Sequence, residues 1–305
     1  RWCPQVGKGV PMNLLPVPAL PLTGLIAQIE AGEPFTPAMA ARIGVGRPAL
    51  ERMIRAGRII RLVRGVYVDA TQSMCPATRA KALGLVLSRR HLVVDRTAAW
   101  VHGAPGWRPR PDAPIPMDVS ERRRYPGAKV PVGPGEIVEV GGIRCTTPER
   151  TAVDVARHLA PERALPLLDG LLNVGATSHR ALIAATANVG LLPGGRQARE
   201  LTAIADGRAA GVAESVLRLH WLEARLPTPT PGLRVAGHRL ALGLPLHRFG
   251  VVLAGTVDAA GRAGLAAAGW TVAVVDGHRV QVADPESLGG HLEREFHRHL
   301  LSQME

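Results

Sequence analysis

Seven side chains between positions 47 and 64 could do chemistry on a polyanion: Arg47, Glu51, Arg52, Arg55, Arg58, Arg61 and Arg64. A guanidinium presents its N–H donors as a planar fork that matches phosphate oxygens and the major-groove edge of guanine, and a glutamate can accept from the amino group of cytosine. From Arg52 onward the arginines recur at every third residue, and within "RIIRLVRGVYV", Arg58 to Val68, they interrupt a run of Ile, Leu and Val. A period of three fits neither the 3.6-residue repeat of a helix nor the two-residue repeat of a strand. The series must therefore cross from one kind of element into another.

The elements that would carry it are legible. Thr36 before Pro37 is a cap followed by a proline at the first helical position, opening "PAMAARIG", which Gly44 ends. The turn Gly44-Val45-Gly46 leads to "RPALERMIRAG", closed by Gly57. Helix, short glycine turn, helix is helix-turn-helix spacing. In the second helix Leu50, Met53 and Ile54 form the apolar stripe, which leaves Arg47, Glu51, Arg52 and Arg55 opposite it. Arg58 to Val63 reads as a strand, Arg64-Gly65 as a tight turn and Val66 to Val68 as the return strand, so a wing follows with Arg64 at its tip. An ordinary solvated face would explain the second helix alone; the wing and the charge distribution below favour a recognition helix. "GVGRPA", 44 to 49, also matches a dinucleotide fingerprint, but that motif must follow a strand and here a helix precedes it.

The rest of the chain alternates helices and short strands. Residues 1 to 21 form a Pro-rich extension, and "LTGLIAQIEAG", 22 to 32, carries helical spacing. "ATRAKALGLVLSRRH" and "DRTAAWVHG" predict two helices, the second capped by Asp95. Residues 103 to 146 are rich in Pro and Gly, with strand signals in "IPMDVS" and "EIVEVGGIRC"; the triplet Arg122, Arg123, Arg124 there is a solvated loop or a phosphate contact. Thr147-Pro148 opens a helix with an Arg150 to Asp154 pair at four-residue spacing, and helices follow at about 162 to 173, 178 to 187 and 196 to 205. The last third predicts a helix over 212 to 224, strands near 233 to 236, 238 to 244 and 248 to 254, and a helix over 258 to 268. A strand over 270 to 276, another near 278 to 283 and a final helix capped by Asp284-Pro285 complete it. The fold class is α/β (α+β): a winged helix-turn-helix, then a mixed region ending in an α-β-β-β-α-β core. The segments are 1–21, 22–75 for the DNA-binding module, 76–195 for a central α/β domain and 196–305 for the last.

Composition bounds what these parts can do. The chain has 305 residues, 37 basic against 25 acidic, and aromatic residues make up only 3%, so its cores must be aliphatic. Residues 1–150 carry 22 Lys or Arg and 11 Asp or Glu, whereas residues 151–305 carry 15 and 14. A net charge confined to half the chain makes a directional field suited to a polyanion. Only Lys8, Lys81 and Lys129 are lysines; GC-rich coding and the forked geometry of arginine explain that bias equally well. Cys3, Cys75 and Cys145 are odd in number and far apart, with no zinc or disulfide spacing. No metal and no cofactor are expected, no membrane segment or leader is read, and a cytoplasmic location follows. His291, His297 and His299 do not share a helical face and read as surface histidines.

The order of motifs resembles the AbiEi-type antitoxins of actinobacterial type IV toxin-antitoxin systems. "GRIIRLVRGVYV" matches the wing, "DRTAAWVHGAPGW" the helix and glycine turn beyond it, and "GIRCTTPERTAVDVAR" the central strand-to-helix step, over roughly 22 to 175. The resemblance implies a winged-helix DNA-binding domain joined to an antitoxin domain, repression of its own operon, and neutralisation of a nucleotidyltransferase-like toxin. Residues 206 to 305 resemble a very-short-patch-repair-type endonuclease domain through "DGRAAGVAESVLRLHWLEARLPTP", "HRLALGLPLHRFGVVLAG" and "GLAAAGWTVAVVD". In that pattern carboxylates stand where this chain has Ala241, Val252 and Ala254. Independently of any family, magnesium-assisted phosphodiester hydrolysis needs hard oxygen ligands, and the 34 residues from Ala224 to Val257 contain no Asp or Glu.

The expectation is therefore a non-enzymatic, sequence-specific binder of double-stranded DNA, a repressor and antitoxin, with no catalytic residue. Arg47, Glu51, Arg52 and Arg55 would enter the major groove, and Arg58, Arg61 and Arg64 would follow the backbone or an adjacent minor groove. Its partners would be its own operator, an inverted repeat, and functionally the toxin, with a homodimer possible because operators are two-fold. The alternative is a metal-dependent endonuclease or other nucleic-acid-processing enzyme using Glu214 with Asp206 or Asp258.

Overall fold

The computed structural model describes residues 33–88, 90–105, 114, 115, 117–120, 132–187, 189, 192–282 and 285–304. The Pro-rich extension, the helix expected over 22 to 32 and the Arg122–Arg124 cluster lie outside the described residues. The chain divides into two compact units, Arg1–Val101 with Gly106–Thr146, and His102–Pro105 with Thr147–Glu305.

The first unit opens with α1, Pro37–Arg42, and α2, Arg47–Arg55, followed by a hairpin of β1, Ile59–Val63, and β2, Val66–Asp69. Phe35 bridges Tyr67 of β2 through paired backbone bonds of 2.9 and 2.8 Å, an isolated bridge on the outer edge of the hairpin. Phe35, Ala40, Leu50, Met53, Ile59 and Tyr67 form the core beneath the two helices. The hairpin also serves a second core. Leu62, Val63, Val66 and Val68 pack with residues of α3, Pro76–Gly84, and α4, Asp95–Val101, and with Val93, Ile143 and Cys145. Val93 belongs to β3, Leu92–Val93, which lies in a four-stranded sheet with β4, Val119–Ser120, β5, Ile137–Val140, and β6, Ile143–Thr146, in the order β4-β3-β6-β5.

Local chemistry explains where this unit departs from the sequence pattern. The helix expected to run on through "VLSRRH" stops at Gly84, whose low helical propensity ends it. Asp95, expected as a cap, instead begins α4 itself with φ +45° and is buried. β3 escaped notice because two residues give no period to read.

The second unit begins with four helices, α5 over Pro148–His158, α6 over Pro161–Asn173, α7 over His179–Ala187 and α8 over Gly195–Ile204. Thr147 caps α5 by accepting from the Arg150 N–H. The expected Arg150 to Asp154 pair forms at 2.8 Å, but inside the protein rather than on its surface. After α9, Val212–Glu223, come β7, Thr230–Pro231, and a separate hairpin of β8, Arg234–Val235, and β9, His238–Arg239. Then come β10, Leu242–Leu244, β11, Phe249–Leu253, α10, Ala259–Ala267, and β12, Thr271–Val275. The sheet order is β12-β11-β10-β7, with β11 and β12 parallel and the other pairs antiparallel. A mixed sheet was expected, and its alternation sorts Phe249 and Val251 into a cluster with Trp221, Leu292 and Phe296, and Val252 into one with Leu240, Val257 and Leu265.

Two readings in this unit are corrected. The strand predicted near 278 to 283 is a helix, α11, Gly277–Val282. Asp276 accepts from the His278 N–H at 2.8 Å, and this capping chemistry at the first turn overrides the β-branched residues behind it. His299, read as a surface residue, lies on α12, Pro285–Ser302, and is only 2% exposed. Its Nε2 donates to the His247 carbonyl at 2.7 Å and its ring packs 5.2 Å from Phe249.

Candidate nucleic-acid interface

The geometry of the basic series is set by two helix ends. At the end of α1 the Val45 N–H reaches the Ala40 carbonyl and the Gly44 N–H the Ala41 carbonyl, both at 3.0 Å. At the end of α2 the Arg58 N–H reaches Met53 and the Gly57 N–H reaches Ile54, also at 3.0 Å. Both are Schellman closures with glycine in the left-handed region, φ +81° at Gly44 and +65° at Gly57. The first turns the chain from one helix into the next within a few residues; the second sends it straight from α2 into β1.

On α2, Leu50 and Met53 are buried while Arg47, Glu51, Arg52 and Arg55 are exposed. By the 100° step of a helix, Arg52 and Arg55 fall opposite that buried pair, Glu51 lies beside them, and Arg47, in the first turn, lies at the flank next to Ile54. On the hairpin, Ile59 faces Asp69, Ile60 faces Val68 and Arg61 faces Tyr67, but Val63 then faces Val66. Leu62 and Val63 thus oppose a single step of β2, a β-bulge. Both are buried, at 1% and 0% exposure, and the extra residue separates Arg61 from Arg64 by three positions while each remains exposed. The spacing that fits no regular element is a strand with one residue inserted, entered from a helix and ended by a turn in which Gly65 takes φ +82°.

All seven sequence-predicted residues are exposed side chains of this one module. They are not equivalent. Arg47 donates through Nε to Glu51 Oε1 at 3.1 Å, an i,i+4 pair in open solvent. The Arg61 guanidinium lies over the Tyr67 ring, 5.6 Å from its centroid, and its Nη2 donates to the Tyr67 hydroxyl at 3.3 Å. Tyr67 in turn stacks on Phe35 at 6.0 Å. Arg52, Arg55, Arg58 and Arg64 make no side-chain hydrogen bond or ion pair among the described residues. Sequence reasoning missed Tyr67, Phe35 and Arg42, which is exposed in the last turn of α1. The pairing of Tyr67 with Arg61 becomes visible only once the register is known.

The carboxylates of the alternative reading are occupied elsewhere. Glu214 on α9 is 7% exposed and is gripped by Arg239, whose Nη1 reaches Oε1 at 2.5 Å and Nη2 reaches Oε2 at 2.8 Å; Oε2 also accepts from the Ala210 N–H. That glutamate holds the Arg239 guanidinium above its ordinary range. Asp206 pairs with Arg208 at 2.6 Å, and Asp258 caps α10 through the Gly261 N–H at 2.7 Å. Ala241 and Val252 are core residues at 3% and 1% exposure. A divalent cation would have to displace a bidentate arginine and find further oxygen donors where alanine and valine stand, so these residues do not fit one. Among the described residues no group of three or more His, Cys, Asp or Glu could hold a metal ion, and no helix is long and apolar enough to cross a membrane.

Comparison with known proteins agrees with the N-terminal geometry. Residues 26–68, the stretch that ends within β2, match the family described as "Transcriptional regulator, AbiEi antitoxin". The chain is also 31% identical over 204 residues to the uncharacterized protein MT2308 of Mycobacterium tuberculosis strain CDC 1551 / Oshkosh, covering 63% of this chain and 70% of that protein. It is similar to the same extent, 31% over 204 residues with 63% and 70% coverage, to the uncharacterized protein Rv2248 of strain ATCC 25618 / H37Rv. No solved structure matches the chain. The chain belongs to the family of these two mycobacterial proteins, and its N-terminal module is a family-level match to the AbiEi-type antitoxin domain.

Proposed function

We propose that this protein is a sequence-specific DNA-binding repressor and the antitoxin of a type IV toxin-antitoxin operon, with a nucleotidyltransferase-like toxin as its functional partner. The observation that carries the reading is the unbroken exposed series from Arg47 to Arg64, built on two glycine-closed helices and a bulged hairpin in the segment that matches the AbiEi regulator family. Arg47, Glu51, Arg52 and Arg55 on α2 enter the major groove, and Arg58, Arg61 and Arg64 run along the phosphate backbone or the adjacent minor groove. The operator is a double-stranded inverted repeat, whose two-fold symmetry would suit a homodimer. The second unit is a nuclease-like scaffold without chemistry, supported by the Glu214 to Arg239 clamp and the apolar residues at 241 and 252.

The test is a gel-shift titration on the region upstream of its own operon at several salt concentrations. With about six phosphates neutralised, affinity should fall roughly a thousandfold between 50 and 200 mM salt. A flat response to salt would remove the electrostatic basis of the reading. Arg52→Ala should relax base choice, whereas Arg64→Ala should weaken all sequences alike.

A further inference from the structure

We infer that Tyr67 is a positioning residue which holds the Arg61 guanidinium preformed for a backbone phosphate, an inference that rests on the DNA-binding reading above. Arg61 and Tyr67 are directly opposed in the β1-β2 ladder, so their side chains leave the same face of the hairpin. That face also carries Ile59, two residues before Arg61, which packs into the core beneath α1 and α2. Arg61 therefore emerges at the rim of the helix-bearing side, where the exposed face of α2 continues onto the strand.

Two contacts pin it there. The guanidinium carbon lies over the Tyr67 ring, 5.6 Å from its centroid, and the hydroxyl accepts one Nη2 hydrogen at 3.3 Å. Among the described residues one of the five N–H donors is used, which leaves four for an incoming oxyanion. Tyr67 is itself held in place. It is 8% exposed, stacked on Phe35 at 6.0 Å, and bound through its own backbone to Phe35 by bonds of 2.8 and 2.9 Å. Arginine loses much rotamer freedom when it engages a ligand, and here that loss is already incurred in the free protein. A guanidinium fixed on a strand cannot search for base edges, so its contact reads position rather than sequence.

A double-mutant cycle on the full-length chain tests this with two duplexes, the upstream region of its own operon and an unrelated sequence of equal length. Tyr67→Phe keeps the ring and its stack but removes the acceptor. It should weaken binding about two- to tenfold, the range expected for freeing one long side chain, equally on both duplexes and with an unchanged salt slope. Arg61→Ala should weaken both duplexes and lower the slope by about one, and in its background Tyr67→Phe should have no further effect. Arg61→Lys, a change at an exposed position that leaves the core intact, keeps the charge but not the hold of the tyrosine, so it should bind about two- to tenfold below wild type with an unchanged salt slope, as Tyr67→Phe does. Equal losses from Tyr67→Phe with and without Arg61, or full binding by Arg61→Lys, would overturn the inference while leaving the DNA-binding reading standing. If the wild-type chain binds neither duplex in a salt-dependent way, that reading falls and the inference with it.

Discussion

At the scale of single residues, burial decides which groups can react. Cys145 sits in the first unit with no exposure, and burial pushes its thiol up from 9.0 to about 12. Cys75, half-buried before α3, is shifted the other way, chiefly by its hydrogen bond with the Thr78 side chain at 3.3 Å. In a Cys3→Ser background, a thiol-alkylating reagent at neutral pH should therefore modify Cys75 and spare Cys145 until the protein unfolds, as mass spectrometry of the peptides would report. The raised value of Cys145 also has a thermodynamic sign. The folded state keeps the proton that the unfolded chain releases above its ordinary value, so this stabilisation is complete below pH 9.0 and is lost as pH rises toward 12. Urea unfolding of Cys145→Ala should accordingly show a shallower loss of stability across that window than the wild type. Residue types and spacing made the seven charged side chains legible as a solvent-facing series, and all seven are exposed. Tyr67 was not, because its meaning depends on what lies across the ladder from it.

At the scale of elements, caps and glycines were the most readable features. Thr36, Gly44, Gly57 and Thr147 end or begin helices where their chemistry demands it. Reading failed where the deciding group lies outside the pattern being read, as with the two-residue β3 and with α11, whose capping by Asp276 outweighs its β-branched content. Pairings between elements remote in sequence are also invisible to periodicity. Asp169 of α6 meets Arg218 of α9 at 2.5 Å, both almost fully buried, and accepts the Asp206 N–H at 2.7 Å. Asp169→Ala would leave that guanidinium charged and unpaired in the interior, at a cost of about 3 to 5 kcal/mol. A denaturant titration measures it, and a loss below about 1 kcal/mol would mean that the α6 to α9 contact does not depend on the pair.

At the scale of the whole molecule, charge and packing divide the chain at nearly the same place. The excess of positive charge lies within residues 1–150 and, apart from His102–Pro105, the first compact unit ends at Thr146, whereas the expected segmentation at 75 and 195 follows motif content. In the near-neutral second unit Glu214 and Asp206 are paired with arginines and Asp258 caps a helix, so the full-length chain with Mg²⁺ or Mn²⁺ should leave supercoiled plasmid intact. Nicking that disappears in Glu214→Ala would reverse the assignment of that unit. A last consequence follows from the hairpin's two-sided burial. Leu62, Val63, Val66 and Val68 are stoppered by side chains contributed as late as Ile143 and Cys145. A chain cut after Cys75 would carry that aliphatic wall into water, so the helix-and-hairpin module is not portable: it travels only with the seventy residues that follow it.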